Sequence, residues 1–247
     1  MIRKSLISLT LGTALVLMTS VASVFAQDME SVEPFKVGTF AINDVPTVGL
    51  VVRDDSLIVE LEAANRAMEL RPQYAKMAMP EDILGLIEQY EYGLKYRVYE
   101  VVNWMVAEGL LESRNLPDYV HPVADVDIMA PIQYPSKVMN AAVNFYTHAC
   151  EGCTAAELER RTRERQENRG VPYLFLKPTR GAIVGDGDDI IMPYGRDEIE
   201  YEVEMAIVFG KAGKYVSASR AYDHVFGYMV AMDVSDRGGR PPGGYGV

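Results

Sequence analysis

Residues 199–208 alternate acidic and apolar side chains and then become fully apolar. Such alternation predicts a β-strand, in which residues two apart point to the same face. Glu200, Glu202 and Glu204 would therefore line one face of the strand, opposite an apolar face. Neighbouring carboxylates repel one another and lose hydration when buried, so this row needs a cation, basic partners or open water. The pattern fits either a solvated acidic face or a site for a hard cation such as Mg²⁺, Mn²⁺ or Ca²⁺.

The N-terminus has the organisation of an export signal. Arg3 and Lys4 precede a mostly apolar run over residues 6–17, and Ala26 ends a small-residue cleavage site. We therefore expect residues 1–26 to be a signal peptide and the mature protein, starting at Gln27, to be periplasmic or secreted. Cleavage would leave no stable membrane contact; an uncleaved membrane anchor is the alternative.

The charge balance bears on possible partners. The 247 residues include 24 Lys and Arg against 35 Asp and Glu, a formal net charge of −11. An acidic protein of this kind is a poor candidate for binding nucleic acid or an anionic membrane surface.

Both cysteines lie in one short motif, Cys150-Glu151-Gly152-Cys153. Export would place this motif in an oxidising compartment, which favours a local disulfide. Two free thiols and a redox-active pair are the alternatives.

The 247-residue chain, with 49% hydrophobic residues, is long enough for one large domain or two small ones. Residues 27–134 are expected to form an N-terminal module with short strands, a helical segment over 80–111 and a proline-containing linker over 116–135. A second domain is expected over 135–247. Its predicted elements are strands at 138–143, 173–177, 199–208 and 225–232, and a charged helix at 155–167.

The second domain contains side chains suited to acid–base chemistry. His148 and Glu151 are three residues apart and would meet on one helical face, where the carboxylate fixes the imidazole tautomer and raises its basicity. Asp233, at the end of a predicted strand, would add a carboxylate to Glu202 and Glu204. Lys177 adds a cation. Each feature alone is weak evidence, because most His-x-x-Glu pairs are structural.

Taken together and in this order, the motifs resemble the fumarylacetoacetate hydrolase family. Residues 144–151 are similar to the family pattern Asn-Tyr-x-x-His-x-x-Glu, and the resemblance continues at 174–178 and 200–204. It closes at 232–237, which are similar to Asn-Asp-Val-Ser-x-Arg. The resemblance covers about residues 137–247, and residues 35–70 resemble the small module that often precedes the catalytic domain.

The resemblance implies an α+β fold, a mixed β-roll built around a divalent metal, Mg²⁺ or Mn²⁺ with Ca²⁺ as a further option. It assigns Glu202, Glu204 and Asp233 as metal ligands. Glu200 would lie at the surface or contact the ligands without binding the metal. His148, oriented by Glu151, would activate water, and Lys177 would neutralise the charge of the substrate.

Family members act on small 2-oxo or β-diketo acids. The resemblance therefore implies a metal-dependent hydrolase that cleaves a C–C bond, homodimeric at full length and acting in catabolism. An isomerase or decarboxylase of a related acid is the alternative, as is a noncatalytic protein that binds metal or oxo acid.

The sequence departs from the family pattern at several positions. Phe145 replaces a tyrosine, Met232 replaces an asparagine, and both cysteines lie in the segment of the proposed dyad. The family also continues past the position of Val247, with further strands and a Gly-Lys-Ser type segment. On this basis we expect an incomplete catalytic domain, and little turnover by the 247-residue form.

Overall fold

The structure is a computed structural model, which describes residues 30–112, 114, 116–196 and 198–238. The export signal lies outside these residues and stays a prediction. Within the described ranges, no helix combines the length and apolar character needed to cross a membrane.

The N-terminal module is built on a five-stranded antiparallel sheet with strand order β4-β3-β2-β1-β5. Its strands are β1 Lys36–Ile42, β2 Val45–Val52, β3 Leu57–Glu60, β4 Val120–Pro122 and β5 Asp127–Ile128. The turn between β1 and β2 has φ values of 50° at Asn43 and 62° at Asp44, as a tight hairpin turn requires. The short strands predicted for this module are confirmed.

The linker predicted over residues 116–135 is wrong, because this segment supplies both edge strands of the sheet. Strand β4 pairs with β3, and β5 pairs with β1. A proline ends β4, and proline is tolerated at a sheet edge since no further strand needs its missing N–H. Strands β4 and β5 therefore belong to the first module, and the domain boundary proposed near residue 135 comes after them.

Three helices cover this sheet: α1 Leu61–Met68, α2 Ile83–Gln89 and α3 Lys95–Ala107. The predicted helical segment is interrupted by a π-turn, Tyr90–Leu94, in which Gly93 has a φ of 127°. The other glycine of this segment, Gly85, does not interrupt a helix. It lies inside α2, and its N–H donates a hydrogen bond to the carboxylate of Asp82, which caps that helix. Buried side chains of the helices and of β2, β3 and β4 form one core, which includes Leu50, Val59, Leu86, Val98 and Val101.

The second part of the chain consists of three antiparallel strand pairs and one helix. Strand β6 Val138–Ala141 pairs with β7 Leu174–Lys177, and β8 Ile199–Glu200 pairs with β11 Ser235–Asp236. Strand β9 Val203–Phe209 pairs with β10 Val225–Met232. Helix α4 Ala155–Glu167 matches its prediction, as does the start of β10 at Val225.

Strand β6 is shorter than the strand predicted over 138–143, and every one of its residues is at least partly exposed. The described residues 178–196 form a loop without strands.

Side chains at the π-turn join the two parts of the chain. The ring of Tyr90 packs edge-to-face on Phe226 of β10, with centroids 5.0 Å apart. Burial, reinforced by hydrogen bonding with Tyr99, raises the pKa of Tyr90. The Nζ of Lys211, which follows β9, lies 3.3 Å from Oε2 of Glu91. Together with the packing of Val208 against the N-terminal core, these contacts hold β9 and β10 on the first module.

Candidate metal and acid–base site

The acidic stretch forms two strands rather than one. It breaks between β8 and β9, and Glu202 at the break has a φ of 39°, which is uncommon outside glycine. The carbonyl of Glu202 accepts a hydrogen bond of 2.9 Å from the Asp233 N–H, so these two residues are neighbours across the strand pair. Glu204 follows opposite Ala231.

The predicted alternation is confirmed within β9, where Glu204 is partly buried and Val203 and Met205 are exposed. Glu202, at the break before β9, is also partly buried. Glu200 is exposed on β8, beyond the break, so the predicted row of three carboxylates on one strand is not formed.

Asp233 is the buried carboxylate of the group, with 6% exposure. The Lys177 ammonium lies 2.6 Å from its Oδ1 and donates a 2.9 Å hydrogen bond to the carbonyl of Val234. The Lys177–Asp233 contact lacks hydrogen-bond geometry, so the buried Oδ1 has a charged neighbour but accepts no hydrogen bond. The structure therefore brings together Lys177 and Asp233, which the sequence placed in one site.

Arg237 is a further member of the site, and no role was predicted for it from the sequence. Its guanidinium forms a close ion pair with Glu202, and its Nε lies 3.2 Å from Glu200. The sequence motif at 232–237 includes this arginine as its last position, and this position could have indicated its role. Beside it, a hydrogen bond from Arg196 holds the pKa of Asp236 below its usual range.

The donor chemistry of Glu202, Glu204 and Asp233 fits a hard divalent cation. The structural observation in its favour is that the buried Oδ1 of Asp233 accepts no hydrogen bond from the described residues and has a cation, the Lys177 ammonium, beside it. The three carboxylates are not, however, gathered as ligands in this structure. Lys177 and Arg237 neutralise two of them, and a bound cation would have to displace these contacts.

A different group of potential ligand atoms lies within 4.8 Å of one another in the described part of the chain: Cys150, Cys153 and Glu157. The two sulfur atoms are joined in a disulfide, so they cannot serve as thiolate ligands. The disulfide expected from the C-x-x-C motif is thereby confirmed.

The proposed dyad is formed. His148 begins a 3₁₀ turn, His148–Cys150, and its Nδ1 lies 2.6 Å from Oε1 of Glu151. Both side chains are substantially exposed, at 42% and 74%. Across the described residues, no hydrogen bond or ion pair connects this dyad to Glu202, Glu204, Asp233 or Lys177. The site thus consists of two parts, a carboxylate cluster and an exposed acid–base pair.

Residues 137–240 match the family model described as fumarylacetoacetate (FAA) hydrolase C-terminal. This part of the chain is similar to the C-terminal domain of the fumarylacetoacetate hydrolase family. The mitochondrial oxaloacetate tautomerase FAHD2A of Bos taurus is 37% identical over 120 residues, which are 48% of this chain and 33% of the relative. The chain therefore matches about a third of the length of this family member.

Solved structures share the fold. Maleylpyruvate hydrolase from Sphingobium sp. SYK-6 superposes with a TM-score of 0.53 at 24% identity, covering 82% of this chain and 59% of the hydrolase. The same hydrolase in complex with manganese(II) and pyruvate gives a TM-score of 0.52 at 23% identity, with the same coverage. The α+β fold expected from the sequence is confirmed, and the family members named here are enzymes.

Proposed function

We propose that this chain carries the acid–base pair and the cation-binding carboxylates of an enzyme that hydrolyses a C–C bond in a β-diketo or 2-oxo acid. The observation that carries the proposal is the 2.6 Å contact between His148 and Glu151, in the segment where the family pattern has its His and Glu. A carboxylate at this distance turns an ordinary histidine into an oriented base.

The dyad supplies the base. With Glu151 ionised, the Nδ1–H of His148 donates to it, and Nε2 is left as the proton acceptor. Because His148 is 42% exposed, water can reach this nitrogen. His148 would take a proton from the water that attacks the distal carbonyl of the substrate, and Glu151 would stabilise the imidazolium.

Glu202, Glu204 and Asp233 would hold Mg²⁺ or Mn²⁺, a proposal supported by the manganese in the Sphingobium hydrolase complex. When bound, such an ion would act as a Lewis acid on the oxygen atoms of an oxo acid. Lys177, released from Asp233, would then be free to pair with a substrate carboxylate.

A second candidate reaction is the tautomerisation of a 2-oxo acid. It is supported by the tautomerase from Bos taurus, at 37% identity over the matched region. His148 would serve here as well, since it could move a proton between the carbon next to the 2-oxo group and solvent. The two reactions share the base and differ in whether water attacks the substrate.

The test uses the protein expressed from its complete reading frame, with Mg²⁺ or Mn²⁺. Cleavage of an acylpyruvate and the keto–enol interconversion of oxaloacetate are measured side by side. We expect His148→Ala to lower the rate of the active reaction by about 10²- to 10⁴-fold, the usual contribution of a general base.

The matched control is His224→Ala, because His224 contacts the carbonyl of Lys211 and lies outside the proposed site. Acylpyruvate cleavage that depends on His148 supports the hydrolase, whereas interconversion without cleavage supports the tautomerase. Activity that survives His148→Ala would remove the proposed base. Metal binding without either reaction would favour a noncatalytic binding protein.

A further inference from the structure

The residues from Cys150 to Cys153 form a tight turn with the dyad glutamate at its corner. The Cys153 N–H donates a 3.1 Å hydrogen bond to the Cys150 carbonyl, and the Cα atoms of the two cysteines are 5.4 Å apart. Glu151 has φ −57° and ψ 131°, and Gly152 has φ 75°. These are the values of a type II β-turn, in which the third position favours glycine.

The disulfide joins the first and fourth residues of this turn. A covalent bridge across a turn restricts the backbone between its ends. The restricted residues here are Glu151, which accepts the hydrogen bond from His148, and Gly152, which provides the reversal. His148 itself lies two residues before the bridge, in the 3₁₀ turn closed by the hydrogen bond from Cys150 N–H to Thr147 O.

Few other contacts fix this segment. From residue 142 to residue 173, Cys150 is the one described side chain that is buried, at 7% exposure. Helix α4, which follows the turn, has no buried residue. Its contact with the preceding chain includes the Arg165 guanidinium, which donates to the Val143 carbonyl. Because hydrophobic packing contributes so little here, the disulfide is the strongest local restraint on the dyad.

We propose that Cys150 and Cys153 are positioning residues whose disulfide keeps Glu151 within hydrogen-bonding distance of His148. The consequence for catalysis rests on the function proposed above, while the consequence for the hydrogen bond does not. A dithiol reductant would transfer two electrons and two protons, so that the S–S bond breaks, two S–H bonds form and the reductant closes to a cyclic disulfide. The turn then loses its covalent restraint and the dyad becomes less populated.

The experiment compares the oxidised protein, the protein reduced with dithiothreitol, and the double variant Cys150→Ser, Cys153→Ser. The first readout is the ¹H–¹⁵N spectrum of the imidazole groups. The chain has three histidines, so His148→Ala assigns the signal of interest. We expect a hydrogen-bonded Nδ1–H signal from His148 in the oxidised protein, and its loss in the reduced protein and in the double variant.

The second readout is turnover. With metal present, we expect reduction and the double variant to lower kcat roughly ten- to hundredfold, as misplacement of a catalytic group does, with KM unchanged. Reoxidation should restore kcat in the wild type, and dithiothreitol should not change the rate of the double variant. These comparisons separate a role in positioning the base from a general loss of stability. A general loss of stability would also alter KM or the thermal unfolding of the rest of the protein.

Each outcome has one meaning. A persistent His148 signal after reduction, with complete reduction shown by thiol titration, overturns the proposal whether or not kcat falls. An unchanged kcat in an active protein also overturns it. Loss of the signal on reduction in a protein that is inactive in both states supports the positioning role and rejects the proposed enzymatic function.

Discussion

The ion pair between Lys177 and Asp233 is largely buried, where an unpaired charge would destabilise the folded protein most. Asp233 is 6% exposed, and the Lys177 side chain is 30% exposed. Removing one partner of such a pair leaves an uncompensated buried charge, which costs more than the pair itself contributes. Lys177 therefore stabilises the metal-free protein as well as being a candidate for substrate binding.

We predict that Lys177→Met lowers the free energy of unfolding of the metal-free protein by about 3 kcal/mol, toward the low end for a broken buried pair because Lys177 is partly exposed. Urea unfolding in the presence of a chelator measures this. Mg²⁺ should recover part of the loss, since a cation bound at Asp233 would replace the ammonium. The matched control is Lys137→Met, an exposed lysine, which should change stability by less than about 0.5 kcal/mol. Equal stability of the two variants would contradict the prediction.

Residue types and spacing predicted the contact between His148 and Glu151 and the alternation along β9, whereas the role of the pair came from the family resemblance. The roles of Lys177 and Arg237 as counter-ions of the carboxylates were not predictable, because both contacts join residues far apart in sequence. The positive φ of Glu202 was equally inaccessible. It arises because β8 and β9 pair with different strands, and alternation of side chains carries no information about a change of partner.

At the scale of elements, the helices differ in the interactions that stabilise them. Helix α3 buries six side chains against the first module: Arg97, Val98, Val101, Val102, Trp104 and Met105. Helix α4 buries none and relies on a Thr154 cap and on ion pairs along its surface, such as Arg160–Glu164. Exposed ion pairs contribute little to stability.

We therefore predict that the amide hydrogens of α4 exchange with solvent orders of magnitude faster than those of α3, since local opening of α4 exposes almost no apolar surface. Hydrogen–deuterium exchange followed by mass spectrometry checks this. Helix α1, which has four buried residues, serves as an internal reference and should be protected like α3. Protection of α4 equal to that of α3 would show that α4 is packed more firmly than its exposure indicates.

The prediction of elements from sequence succeeded where a periodic pattern decides the structure, as in β1, β10 and α4. It failed for β4 and β5, which are too short to show a pattern and which form because the edges of an existing sheet are available. The position of the π-turn at Gly93 could be anticipated from the glycine, but Gly85 offered the same signal and lies within a helix.

At the scale of the whole molecule, the outer face of β9 and β10 is apolar and exposed. Its seven side chains are 47–74% exposed: Val203, Met205, Ile207, Phe209, Tyr228, Val230 and Met232. A contiguous apolar surface of this kind on a folded protein marks an interaction site. The homodimer expected from the family resemblance would provide a partner for it.

We predict that the protein expressed from its complete reading frame is a dimer and that Met205→Lys with Val230→Lys shifts it to a monomer. These residues are direct partners across the strand pair, so the two charges would fall at the centre of the apolar face. Light scattering coupled to size-exclusion chromatography gives the mass. Leu70→Lys, on the first module, is the control and should remain dimeric, because Leu70 is 83% exposed and lies outside this face. A monomeric wild-type protein would contradict the prediction.

Thermal unfolding with and without Mn²⁺ tests most directly whether Glu202, Glu204 and Asp233 bind a divalent cation. A ligand that binds only the folded state stabilises it, by about 2.7 kcal/mol at a free concentration a hundred times its Kd. We predict that Mn²⁺ raises the Tm of the wild type and of Glu200→Ala, and that Glu202→Ala combined with Glu204→Ala abolishes the rise. A rise that survives the double variant, or is lost equally in Glu200→Ala, would contradict the assignment of the metal site.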